Sequence, residues 1–257
     1  MQWQTIFKKE LTENWRNFKW IWVPIVFIIF AVMDPVTTYY LPIILESAGN
    51  MPDGASFDIP IPSVAEAMLM SFNELGVLGV LIAVVASMGI VSKEVKSGVY
   101  ELILSKPVSF TNYITAKYTA MLSLLAFSLV ISLLVGWYYV TVLYGELSIT
   151  QLIVSTSFFI IYFMLILGIV MLFNSFFKSQ GLVAFLSIIT IIALNTISSI
   201  YSHVLTWSPA LISDYIGLYF FSGELESEIW LSSAVAVALT VLCLAIAVTT
   251  LKNRALD

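Results

Sequence analysis

Carboxylates set inside apolar sequence are the residues most able to do chemistry in this chain. Asp34 and Glu74 each interrupt a run of aliphatic and aromatic side chains. An ionisable group in hydrocarbon is costly, and it is kept where it relays protons, meets a counter-ion or lines an aqueous path. One helical turn further out, both would sit at a membrane interface, and the spacing leaves either placement open. Asn174 and Asn195 put uncharged polar groups into two further apolar runs, where they would line the same path or hydrogen-bond between helices. A second concentration of charge falls at 92–109, SKEVKSGVYELILSKPVS, with three lysines and two glutamates in eighteen residues. Helical spacing places Val95, Val99 and Leu102 on one face and Glu94, Gly98, Glu101 and Ser105 on another. Pro107 ends the pattern, since it cannot continue the helix and restricts Lys106 before it. The expectation is a helix over 93–106, about three turns long. Gly98 leaves a dent in its polar face. That is the chemistry of docking or of an interfacial cap; it is not catalysis.

No catalytic set or metal site is expected. His203 is the single histidine, so neither H-E-x-x-H nor a histidine-rich metal cluster can be built. Cys243 is the single cysteine, lies in an apolar run and has no basic neighbour to stabilise a thiolate. No G-x-x-x-x-G-K-[ST] phosphate loop occurs, and no basic patch is dense enough for nucleic acid.

The elements that must position these residues are membrane helices. Of 257 residues 60% are hydrophobic and 11% charged, against about 25% charged in soluble domains. Six apolar runs, near 19–40, 70–92, 117–143, 152–176, 181–201 and 229–251, are each long enough to cross a hydrocarbon core about 30 Å thick. Pro24 and Pro35 predict a kink in the first. Ahead of it, residues 1–18 carry Trp3, Phe7, Leu11 and Trp15 at intervals of four, with Lys8, Lys9, Glu10, Glu13 and Arg16 around them. That is an amphipathic helix lying in the interface plane. No small-x-small cleavage site follows the first run, so the whole chain is read as one mature transmembrane domain. The stretch 46–66 reads as an irregular loop. The stretch 202–228, aromatic and weakly charged, reads as a re-entrant or interfacial helix pair before the last span.

Charge fixes the orientation. With six spans, all eleven lysines and arginines fall on the side of the termini together with five acids, and the other eleven acids fall opposite. The tally is +6 and −11, which sums to the net −5. Basic residues stay cytoplasmic in short loops, so both termini are expected in the cytoplasm of a multi-pass plasma-membrane protein.

The segment KEVKSGVYELILSKPVS, followed by Asn112, Tyr113 and Lys117, resembles the cytoplasmic loop of the ABC-2 type permeases, the membrane subunits of ABC exporters. The matching positions are Glu94, Gly98, Glu101, Leu102–Leu104, Ser105 and Pro107; Lys106 stands where that family often has histidine or another polar residue. The interfacial helix, six spans and last outer loop extend the resemblance over most of the chain. It implies that 93–106 is a coupling helix docking in a groove of a separate ATPase subunit, with Glu94, Gly98, Glu101, Leu102 and Pro107 at the contact. It also implies a second permease chain, the same or related. ATP and magnesium would be bound by the partner, with no cofactor on this chain, in a bacterial or archaeal membrane. An amphiphilic drug, peptide or lipid-like cargo would suit the apolar spans. The alternative is a secondary transporter or channel-like protein working without ATP.

Overall fold

An apolar run in a bilayer becomes a helix because a helix satisfies its own backbone polar groups, as hydrocarbon requires. A computed structural model describes residues 2–47, 61–98 and 109–254. Helix α1 covers Gln2–Arg16 and α2 covers Lys19–Ser47. A single rod follows, made of α3 (Val64–Glu74), a π turn (Leu75–Gly79) and α4 (Val80–Ser87), with the short α5 (Ser92–Lys96) after a turn. Then come α6 (Phe110–Tyr144), α7 (Ile149–Phe176) and α8 (Gln180–Ile200). A 3-10 turn (Pro209–Leu211), α9 (Ile212–Ser222) and α10 (Glu228–Arg254) complete the order. Six helices are long and apolar enough to cross a membrane, and no strand occurs among the described residues. The protein is an all-α, polytopic membrane protein.

Capping residues move two helix starts outward from the apolar runs. Ser63 accepts from the Glu66 amide at 3.3 Å and its own amide donates to the Glu66 carboxylate at 2.6 Å, a capping box that begins α3 at Val64. Ser109 accepts from the Asn112 amide at 3.1 Å and begins α6 at Phe110. The helix α2 runs continuously through Pro24, Pro35 and Pro42. Pro35 has no amide proton for the carbonyl four residues back, and the Ser71 hydroxyl donates to that carbonyl, Ala31, at 2.6 Å. A side chain from the next span therefore replaces the lost helical bond.

The helices α6 and α7 form the centre. α2 lies along α6, α10 along α7, and α3 packs on α2 and α6. Aromatic contacts knit the interior, with Phe27 and Phe163 centroids 6.2 Å apart and Phe72 and Phe159 5.1 Å apart. Lipid is as apolar as these side chains, so close packing holds helices together here. Gly136 allows one such approach, because a Cβ there would lie 3.3 Å from the Ala31 carbonyl oxygen. Gly168 allows another, where a Cβ would lie 3.4 Å from Thr240 Cα.

Two elements show detail that the sequence pattern did not. Trp3 and Phe7 stack at 5.0 Å and the Trp3 indole donates to Thr115 at 3.1 Å, but Trp15 is 63% exposed. The helix α1 is turned so that Glu10 and Asn14 are buried, because the buried Lys117 on α6 draws Glu10 inward. The stretch 202–228 forms the 3-10 turn and one helix, α9, whose Phe220 packs on Phe72 at 5.6 Å.

Candidate functional site

At the end of the bundle that carries the termini, five charged side chains from three elements meet. Lys117, only 2% exposed, donates to Glu10 at 2.7 Å and lies 3.0 Å from Glu94. Lys9 reaches Glu94 at 2.8 Å, Glu10 at 3.5 Å and Glu13 at 3.9 Å. Tyr113 adds a short hydrogen bond from its hydroxyl to the second Glu94 oxygen. Burial alone would lower the Lys9 ammonium pKa. Its bond to Glu94, reinforced by Glu10 and Glu13, outweighs that and raises it. The Glu10, Glu13 and Glu94 carboxylate oxygens lie within 4.8 Å of one another, a spacing that could hold a metal ion. Lys9 and Lys117 already supply the positive charge, so the donor set is that of an ion cluster. A polar cavity of about 260 Å³ opens beside it, lined in part by Asn14, Lys19 and Gln180.

This cluster holds the start of the charged segment. Glu94 faces inward, with its side chain 13% exposed, where the sequence pattern had set it on an outward docking face. An acid this close to a buried lysine gains more from pairing than from solvent. Asn174 secures the same corner. It is fully buried; its Oδ1 accepts from the Val91 amide at 3.3 Å and the Ser92 amide at 3.1 Å. Its Nδ2 donates to Ser87 at 3.2 Å and Val170 at 3.0 Å. With both amide atoms committed to α4, α5 and its own helix, Asn174 is a corner brace and does not line a path. Gly98 has φ +74, the left-handed conformation that ends a helix, so the helix begun at Ser92 turns there where 93–106 was expected to continue. A Cβ at Gly98 would meet nothing within 4 Å, so its glycine serves the backbone turn. Glu101, Leu102 and Pro107 lie outside the described residues.

At the opposite end, Asp34 on α2 and Glu74 at the end of α3 are brought within hydrogen-bonding interaction of each other, just before the π turn. Asn195 is elsewhere at that end, paired with Tyr162. The tyrosine hydroxyl donates to Asn195 Oδ1 at 3.2 Å and Asn195 Nδ2 lies 3.1 Å from that hydroxyl. The four polar candidates of the spans thus separate into a carboxyl pair, a corner brace and an amide–phenol pair. Lys9, Glu10, Tyr113 and Lys117 were missed as a set. Only one signal pointed to them, a lysine standing at the start of an apolar run.

These features define a polytopic membrane protein with a braced polar corner at one end of its spans. The family model described as ABC-2 family transporter protein matches residues 4–249, and the chain belongs to that family. It is also similar to the uncharacterized transmembrane protein YxlG of Bacillus subtilis (strain 168), with 29% identity over 209 residues, 80% of each chain. The chain is therefore a membrane component of a transporter.

Proposed function

We propose that the chain is the permease subunit of an ATP-binding cassette exporter, driven by a separate ATPase subunit that docks on the coupling segment 93–106. A second permease chain, the same or related, completes the path for an amphiphilic drug, peptide or lipid-like cargo. ATP and magnesium bind the ATPase. The termini and the charged segment face the cytoplasm of a bacterial or archaeal plasma membrane, in line with the placement of every basic residue.

The observation that carries this reading is the anchoring of α5. Glu94 ties it to α1 and α6 through Lys9 and Lys117, and Asn174 ties it to α7. A push delivered to the segment is then passed to three elements at once, because a buried ion pair and a saturated amide resist separation. Glu94 acts as the anchor within the membrane subunit, Gly98 as the turn, and Glu101, Leu102 and Pro107 as the contact with the ATPase. Affinity purification of the tagged chain from native membranes should bring down an ATP-binding-cassette ATPase, and Glu101→Lys should abolish that association. Normal ATPase recovery and coupled turnover in Glu101→Lys would remove the docking assignment. The Asp34–Glu74 pair favours one other reading, a carrier coupled to protons without ATP. Cargo uptake into proteoliposomes of the chain alone, driven by an imposed pH gradient and lost in Glu74→Gln, would decide for it.

A further inference from the structure

Turning Glu10 inward carries Asn14 with it, since residues four apart share a helix face. Asn14 is 7% exposed, yet among the described residues nothing bonds to its side-chain amide. That amide opens onto the cavity of about 260 Å³ beside the ion cluster. A buried amide without a partner is costly and rare, so it marks a place where something else completes the bonding. The cavity is several times the roughly 30 Å³ of one water and close to the lower edge of small-ligand pockets, about 300 Å³.

The charges on its lining state what fits. Lys117, Glu94 and one Glu10 oxygen are spent on one another. Three other groups keep capacity. The Lys19 ammonium commits one proton, to the Ala86 carbonyl at 2.7 Å. Lys93, at the exposed rim, has no side-chain partner among the described residues. Glu13 has only Lys9, at 3.9 Å. An anion alone would meet Glu13, and a cation alone would meet two ammoniums. A zwitterion satisfies both: its phosphate accepts from Lys19 and Lys93, and a primary ammonium donates to Glu13 and the Asn14 carbonyl oxygen.

The wall of the cavity places the rest of the ligand. Val85 forms part of it, is 48% exposed and belongs to a helix fit to cross a membrane. Lys19 begins another such helix, and Trp22 lines the cavity about one turn further in. The cavity therefore sits where the charged interface gives way to apolar flank, and an acyl chain leaves it past Val85.

We propose that this cavity binds the phosphoethanolamine head of a phospholipid from the leaflet on the side of the termini, seated between α1, α2 and α4. Bound there, the head group ties α1 to α5 through Asn14 and Lys93. The binding does not depend on the ATPase reading.

The test is thermal unfolding of the full chain in neutral maltoside micelles doped with phosphatidylethanolamine, phosphatidylcholine or phosphatidylglycerol at equal mole fraction. The ethanolamine lipid should raise Tm well beyond the other two, since choline has no N–H donor and glycerol no cation. Asn14→Leu should raise the mole fraction needed about tenfold or more, as should Lys93→Gln. Asn14 has no bond to lose in the free chain, so its variant should fold. The readout is the gap between lipids, which baseline stability does not move. Lys178→Gln, a basic residue outside the cavity, should leave the response unchanged. Equal stabilisation by phosphatidylcholine or phosphatidylglycerol, or a response untouched by Asn14→Leu, would overturn the site and leave a hydrated cavity. Free phosphoethanolamine at matched concentration should have no effect; an equal effect would overturn the lipid in favour of a soluble ester. No ATPase is present in any arm, so failure here leaves the ATPase-driven reading standing, and an ATPase that fails to co-purify leaves the lipid site standing.

Discussion

Lys117 carries the highest stakes of any single side chain. It is 2% exposed and positive, and it is tolerated only because Glu10 and Glu94 lie at 2.7 and 3.0 Å. Removing one partner of a buried pair leaves the other uncompensated, at about 3–5 kcal/mol. Lys117→Met should therefore lower Tm sharply in micelles, and adding Glu10→Gln and Glu94→Gln should restore part of the loss; no restoration would mean the carboxylates are not its counter-charge. Asn174→Leu should cost about 1–3 kcal/mol for each buried amide group left unbonded. Limited proteolysis checks it, with faster cutting after Lys96 expected. At the far end the sign differs. Asp214 has a raised folded pKa, so its contribution to stability is present below the unfolded pKa and is lost as pH rises through the folded value. Asp214→Asn should then match or exceed the parent Tm at pH 7 and flatten the Tm–pH curve above pH 4; a Tm clearly below the parent at pH 7 would contradict this.

At the scale of elements, contact between α2 and α6 depends on one missing side chain. Gly136 faces Ala31, where a Cβ would lie 3.3 Å from a backbone oxygen that cannot swing aside. Gly136→Ala should cost about 1–3 kcal/mol by overpacking, and Gly136→Leu should prevent assembly of the bundle. Size-exclusion profiles of fluorescent fusions distinguish the two, and a monodisperse Gly136→Leu peak would show that the helices do not approach there. The Ser71 hydroxyl on the neighbouring Ala31 carbonyl explains why Pro35 leaves α2 helical: the bond lost to the ring is returned by α3. The start of α1–α2 shows strain of another kind, since Phe18 turns the elbow at φ 57 with a bulky side chain. Its 66% exposed ring provides an apolar anchor at the interface.

For the whole molecule, the charge map and the exposed faces act together. Among the described residues, the lysines and arginines lie at the end that holds the ion cluster, and exposed Ile25, Ile29, Phe185 and Val241 clothe the flanks in apolar surface suited to lipid or a second chain. In a Cys243→Ser background, a cysteine at Lys178 should label only when the cytoplasmic face is opened. A cysteine at His203 should label from outside intact cells. The reverse pattern would invert the topology and move the proposed docking segment out of reach of any cytoplasmic ATPase.

Six spans were legible in the linear sequence, because length and apolarity act locally on a bilayer. Ser63 and Glu66, three residues apart, also carried the start of α3 in plain view. The charged segment beginning at Ser92 was visible as an interruption of the apolar runs. The direction of Glu94 was not, since Lys117 bonds to Glu10 across 107 positions and to Glu94 from another element. Asn174 likewise meets Ser92 across 82 positions. The sequence alone determined that this chain carries six helices fit to cross a membrane, because solvent preference is read residue by residue. Only the tertiary structure decided which charges neutralise one another, because Coulomb and hydrogen-bond energies depend on distances that packing sets.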